Sequence, residues 1–211
     1  MGDTLKKYHQ AFLLFTIAQF LMMLGLFDYA SSIKALSEWM FLFTFFQLIA
    51  YILMIIAATK LHTFNKNYFY CFITAVICMF ITMMATIANE STEDFTVAWS
   101  RGLSISSDIL ICIVYAYFFL GSKDHFLESN LERNVKRSNL GFIFVIVMTI
   151  IINLMAFIGS FSFVKTNYLV AAIFKYGSVA LKLAMYTFMF IILVLMIVLM
   201  KKNKKEGDVN G

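Results

Sequence analysis

The chain has 211 residues, of which 62% are hydrophobic and only 14% are charged, and its formal net charge is +5. A soluble domain is nearer half apolar and a quarter charged, so this composition excludes an ordinary soluble protein and predicts a polytopic membrane protein. Since no aromatic–basic motif accompanies the positive charge, we expect contact with the lipid bilayer and its anionic headgroups rather than nucleic-acid binding.

Six apolar stretches are each long enough to cross the hydrocarbon core as a helix, which takes about 20 residues. The predicted spans are residues 10–28, 39–60, 68–89, 102–121, 140–159 and 168–200, followed by a short basic tail, residues 201–211. The chain contains no proline, so we expect mostly continuous helices. The predicted fold class is all-α, a single integral membrane domain built as a bundle of six transmembrane helices.

The last apolar stretch, Tyr168 to Met200, is longer than one crossing requires. As a helix its 33 residues would measure about 50 Å, against about 30 Å of hydrocarbon. The four lysines that follow it predict an inner membrane edge near Met200, and counting back puts the outer edge near Leu181. Lys182 then lies just inside the outer boundary.

The basic residues divide unequally between the two sides of the predicted membrane. With the N-terminus inside, twelve lie in the inner segments, whereas only Lys34, Arg101 and Lys165 lie outside. The twelve are Lys6, Lys7, Lys60, Lys66, Lys123, Arg133, Lys136, Arg137, Lys201, Lys202, Lys204 and Lys205. Cytoplasmic loops of membrane proteins carry such an excess, so both termini are predicted to be cytoplasmic and the protein to lie in the cell membrane.

Asp108 is the most informative polar residue of the spans, because it is predicted to lie about 9 Å beneath the outer boundary. Arg101 and Ser104 share its helical face. Lys182 and Lys175 belong to the outer half of the sixth helix. An ionisable group at that depth normally faces protein or a water-filled cavity. The sequence thus suggests an outward-facing ligand pocket between helices 4 and 6, formed by these five residues.

A second interpretation of the same residues requires no pocket. Helices 4 and 6 both run from outside to inside, so Lys182 and Lys175 can extend outward to the headgroups without meeting Asp108. Asp108 would then be satisfied by Ser104 or be protonated. The sequence leaves open whether Asp108 and Lys182 meet.

Other polar residues of the spans favour structural roles. Gln19, Gln47 and Asn153 are typical of side chains that hold helices together by hydrogen bonds. The three cysteines, Cys71, Cys78 and Cys112, have no partner at metal or redox spacing and are interpreted as small apolar fillers. No catalytic motif occurs, so the chain is predicted not to be an enzyme and to use no cofactor and no metal.

The longest predicted loop, residues 122–139, repeats Leu127, Leu131 and Val135 at intervals of four among charged residues. This spacing predicts either a short amphipathic helix on the inner leaflet or a solvated connector.

Two functional classes follow. In the first, the protein captures a small polar solute from outside, or helps to transport it, beside a membrane partner subunit. In the second, it is a non-transporting sensor, assembly or accessory protein that binds partner helices. The face formed by Gly177, Ala180 and Ala184 suits such close helix contact.

Overall fold

The computed structural model of the chain describes residues 2–26, 40–89, 94–159, 161 and 166–209. Within these ranges the secondary structure is helical, with short turns, which confirms the all-α class. The helices are α1 (Gly2–Gly25), α2 (Met40–Leu61), α3 (Lys66–Asn89), α4 (Asp94–Glu128), α5 (Glu132–Gly159) and α6 (Tyr168–Val209).

All six helices are long and apolar enough to cross a membrane. Their outward faces carry large apolar side chains, among them Phe80, Ile143 and Val198, each more than half exposed. A water-soluble monomer rarely exposes so continuous an apolar surface, whereas lipid chains would cover it at no cost.

The helices form a closed ring in chain order. Each helix packs against the next one, and α6 returns to pack against α1. The N-terminal part of α1 meets the α2–α3 turn and the end of α4, because Tyr8 lies against Phe64 and His125. We call this the basic end of the bundle, since Lys60 and Lys66 flank the same turn, and we call the opposite end the far end.

Aromatic side chains of α1 and α4 fill the ring near the basic end. Phe15 stacks on Phe118 with 3.8 Å between ring centroids, and Phe12 lies 5.0 Å from the same ring. Tyr8 stacks on His125 at 3.5 Å. Large rigid rings fill the space between six helices, so α1 and α4 interact across the ring through side chains.

In α2, α4, α5 and α6, buried side chains stop before the far end is reached. Among the described side chains, the first buried residues of α2 and α4 are Ala50 and Ile111. The last buried residue of α5 is Ile152, and the first of α6 is Met185. Among the described side chains, those in the far-end parts of these four helices are therefore only half-buried or exposed.

Two predicted connections differ from the structure. Residues 122–139 form no separate surface helix, because α4 continues to Glu128 and α5 begins at Glu132. The turn between them contains Asn130, whose φ of 54° is left-handed. Residues 94–100, predicted as loop, already belong to α4. Hydropathy marks where a helix leaves the hydrocarbon, but charged residues continue a helix readily in water.

Among the predicted outer loops, residues 29–38 lie outside the described residues, as do residues 90–93, 160 and 162–165 of the loops predicted at 89–100 and 160–167. The same holds for Trp39, at the start of the second predicted span.

Candidate functional site

The structure brings Asp108 of α4 and Lys182 of α6 together in an ion pair. Lys182 Nζ lies 2.8 Å from Asp108 Oδ1 and 2.7 Å from Asp108 Oδ2. The side chains of Lys182 and Asp108 are 11% and 23% exposed, respectively. Asp108 and Lys182 therefore meet, which the sequence left open. The Lys182 ammonium bridges both carboxylate oxygens of Asp108.

The pair forms beside α5, the helix that packs against both α4 and α6. Glycines let α5 and α6 approach closely near the far end: a Cβ on Gly177 would lie only 2.8 Å from Met155 Cε, and one on Gly159 only 3.1 Å from Phe174 Cβ. The long flexible stem of Lys182 can then reach Asp108 from the helix on the other side of α5.

A small cavity adjoins the ion pair. Its volume is ≈ 10 Å³, about the space that one water molecule needs. It is lined by Asp108, Ile111, Thr149, Ile152, Asn153, Lys182, Met185 and Tyr186. The site therefore combines one negative charge, one positive charge, polar groups of α5 and the side chain of Tyr186 with an otherwise apolar wall.

Asn153 is one of the residues that line this cavity. Its Nδ2 donates to the backbone oxygen of Thr149 at 2.9 Å, which fixes the orientation of the amide. Its Oδ1 is buried and has no hydrogen-bond partner within the described part of the chain. The sequence predicted that Asn153 joins two helices, but its described hydrogen bond stays within α5. A buried acceptor without a donor is costly, so it marks a position where a donor would bind.

Gln19 closes the site on the side of the basic end. Its Nε2 donates to the backbone oxygen of Tyr186 at 3.0 Å, and its Oε1 accepts a short hydrogen bond from the Tyr115 hydroxyl. One buried amide thus joins α1, α4 and α6 a single turn below Lys182. The predicted role in holding helices together is confirmed for Gln19, and also for Gln47, whose Nε2 donates to Gly25 O at 3.0 Å.

A second polar cluster, which sequence reasoning missed, lies on the other side of α4. The Thr82 hydroxyl is 3.1 Å from the Tyr51 hydroxyl and 2.6 Å from that of Ser107. Cys78 Sγ donates to the Tyr51 hydroxyl at 3.5 Å. These hydrogen bonds connect α2, α3 and α4. Hydroxyls are frequent in such helices, and only the tertiary arrangement selects which of them meet.

Of the other predicted site residues, Ser104, Arg101 and Lys175, the structure describes the side chain of Ser104. Ser104 is half-buried one turn before Asp108 and is not among the residues that line the cavity. The backbones of Arg101 and Lys175 belong to α4 and α6, but their side chains lie outside the described part of the structure.

The described cysteines occur in buried or half-buried positions, with Cys71 and Cys78 fully buried. Among the described residues no group of three or more histidine, cysteine or acidic side chains could hold a metal ion.

No family model, curated protein or solved structure matched this chain.

Proposed function

We propose that the chain is a multi-pass protein of the cell membrane that captures a small polar solute from outside, or helps to transport it, through a pocket between α4 and α6. The observation that carries this proposal is the ion pair of Asp108 and Lys182 in a site shared with Asn153, whose Oδ1 has no hydrogen-bond partner within the described ranges. Ionisable residues within membrane helices are rare, and those that occur commonly mark solute or ion pathways.

The stability of the fold does not by itself explain why the chain has this ion pair. Replacing both partners of a buried ion pair with apolar side chains is often neutral or stabilising, whereas removing one partner costs about 3–5 kcal/mol. The pair therefore carries a risk to stability that a purely structural contact between apolar side chains would avoid. A solute that uses both charges supplies a reason to keep them.

The cavity beside the Asp108–Lys182 ion pair is too small to hold a solute. A cavity of ≈ 10 Å³ holds one water but no larger solute, so capture requires Lys182 to leave Asp108. The lower burial of side chains in α5 beyond Ile152 and in α6 before Met185 supports such a movement, because less buried surface there resists local opening.

The proposed orientation has the basic end in the cytoplasm and the far end outside, following the charge bias of the loops. Thr63 in the α2–α3 turn and Thr166 at the far end are both exposed, which makes them a matched pair of labelling positions. In intact cells an impermeant maleimide should label Thr166→Cys, and should label Thr63→Cys only after lysis. The opposite pattern would invert the proposed orientation.

Solute capture is tested by thermal unfolding of the purified full-length protein with vitamins, amino acids and small anions. We expect a solute of one class to raise the Tm of the wild type and not that of Asp108→Asn. Asp124→Asn is the matched control, because Asp124 is a carboxylate of the same helix that binds Asn65 and Asn67 at the basic end. This control should keep the response.

The second candidate is a membrane accessory protein whose charges are structural. It is favoured by Ala180 and Ala184, which are exposed on the outer side of α6, where a partner helix could pack closely. If none of the solutes shifts the Tm, while Ala180→Leu with Ala184→Leu dissociates a co-purifying membrane protein, the accessory role replaces solute capture.

A further inference from the structure

Two arginines lie on one side of α5 at the basic end. Arg133 and Arg137 are four residues apart and therefore share one helical face. Arg133 is exposed and Arg137 is half-buried. We call these two residues the arginine pair. Arg137 Nη1 donates to the backbone oxygen of Leu195 at 2.8 Å, so the face that they share borders α6.

The arginine pair lies beside the apolar stretch of α6, not beside its terminal lysines. Arg137 meets α6 at Leu195, which precedes Lys201 by six residues, or about 9 Å of helix rise. Since the inner membrane edge is predicted near Met200, the guanidinium of Arg137 would lie where the lipid headgroups meet the hydrocarbon. A cationic group at this depth attracts the anionic groups of the same leaflet.

The guanidinium of Arg137 has donors left for a ligand. It carries five N–H donors, and its bond to Leu195 uses Nη1. Within the described ranges neither arginine of the pair forms an ion pair with a carboxylate. A guanidinium matches the paired oxygens of a phosphate group, which can accept two parallel N–H bonds from it. The chemistry of the arginine pair therefore fits a phosphate.

Apolar side chains continue from the arginine pair toward the far end. Leu140 of α5 and Ile191 and Leu195 of α6 are 51%, 49% and 41% exposed, respectively. Phe144 and Phe188, both half-buried, join α5 to α6 with 4.0 Å between their ring centroids. We call these five residues the apolar strip. A phosphate site that continues into an apolar strip matches a phospholipid, because its phosphate is directly followed by its acyl chains.

From this arrangement we infer that α5 and α6 bind an anionic phospholipid, with its headgroup phosphate on the arginine pair and an acyl chain along the apolar strip. A soluble phosphate compound would leave the strip uncovered, and a zwitterionic lipid would bring its own cationic group close to the arginines. The inference is independent of the proposed function, because it uses neither Asp108 nor Lys182.

Native mass spectrometry of the purified full-length protein in detergent measures the binding of single lipids. The probes are dioleoyl phosphatidylglycerol, dioleoyl phosphatidylcholine, which has the same chains, and glycerol 3-phosphate, which has a phosphate but no chains. Phosphatidylglycerol should bind about 10-fold more tightly than phosphatidylcholine, because both arginines attract its net charge. Glycerol 3-phosphate at the same concentration should not bind, because buried methylene groups supply much of the affinity of a lipid.

Four variants connect this preference to the arginine pair. Arg137→Gln should weaken the binding of phosphatidylglycerol by about 10-fold, because it removes a charged donor. Arg137→Lys keeps the charge but loses the planar pair of donors, so its affinity should be intermediate. Arg133→Gln should weaken binding by about 5-fold. Lys60→Gln is the matched control, because it removes an exposed positive charge of α2 at the same end, and it should bind as the wild type does.

The Tm of each variant without added lipid shows whether the fold is intact. Arg133 is exposed and its substitution should leave this Tm unchanged, so Arg133→Gln tests the site even where Arg137→Gln lowers the Tm by losing the bond to Leu195.

Equal binding of the two lipids would overturn the inference. So would equal losses in Arg133→Gln and Lys60→Gln, which would indicate attraction by the whole basic end and not by one site. Glycerol 3-phosphate binding as tightly as phosphatidylglycerol would indicate a site for a soluble anion instead of a lipid. None of these results bears on the solute response of Asp108→Asn, so the inference and the proposed function can fail separately.

Discussion

The two ends of the helix ring are built differently. Near the basic end the interior consists of stacked aromatic rings, with Phe15 3.8 Å from Phe118. Near the far end the interior contains the Asp108–Lys182 ion pair and the hydroxyl cluster around Thr82. It also contains Asn153 Oδ1, which has no hydrogen-bond partner among the described residues. Gln19 lies at the boundary between them, where it joins α1, α4 and α6.

The difference indicates how stability and function divide in this bundle. Lipid chains are as apolar as the side chains they meet, so helices in a membrane gain little from leaving lipid and depend on packing. The aromatic half supplies that packing. The polar half contains an ion pair and a cluster of hydroxyls and has fewer fully buried side chains, so it is the half where binding and local movement are expected.

The largest expected effect is loss of packing in the aromatic half. Phe118 is fully buried against Phe12, Phe15 and Tyr68, so Phe118→Ala should reduce the free energy of unfolding by about 3–5 kcal/mol. Phe80→Ala, at a position 58% exposed, serves as the control and should cost little. Reversible unfolding in mixed micelles measures both. Equal effects of the two substitutions would contradict the division into halves.

In the polar half, we expect the contributions of Asp108 and Lys182 to the free energy of unfolding to be coupled. Asp108→Asn and Lys182→Met should each cost about 3 kcal/mol, because each removes one partner of a largely buried ion pair, and the double variant should cost clearly less than the sum of the two. A double-mutant cycle in the free energy of unfolding measures it. Additive effects, within about 0.5 kcal/mol, would mean that the two residues are energetically independent.

Glycine-to-alanine substitutions compare a tightly packed backbone position with an open one. A Cβ on Gly141 would lie 2.7 Å from Phe119 Cζ, whereas one on Gly102 would have nothing within 4 Å. Gly141→Ala should therefore destabilise by about 1–3 kcal/mol through overpacking. Gly102→Ala should stabilise α4 by about 0.5–1 kcal/mol. Thermal unfolding ranks the variants, and destabilisation by Gly102→Ala would show that the far end is packed more tightly than described.

The smallest expected effect concerns the hydroxyl cluster. Tyr51→Phe removes the group 3.1 Å from Thr82 but leaves Thr82 bonded to Ser107. The expected loss is about 0.6 kcal/mol, the average for hydrogen bonds between membrane helices. Tyr70→Phe, on the exposed face of α3, should be neutral. A loss above about 2 kcal/mol would place this cluster among the main supports of the polar half.

Much of the fold could be predicted from the sequence because it depends on local properties. Apolar stretches of sufficient length and the absence of proline determine six long helices, whatever they pack against. The positions of Asp108 and Lys182 along α4 and α6 likewise follow from counting residues. Helix ends were less predictable: α4 continues through Lys123 and Asp124 to Glu128, because hydropathy reports the membrane edge and not the end of the helix.

Contacts between residues distant in the chain depended on the tertiary structure. Whether Lys182 extends to the headgroups or meets Asp108 is decided by how α5 separates α4 from α6, which no local pattern encodes. The surroundings of Asn153 likewise depend on how α5 packs against its neighbours, which leave its Oδ1 without a hydrogen-bond partner among the described residues. Helical periodicity determines which residues share a face, but only packing determines what that face meets.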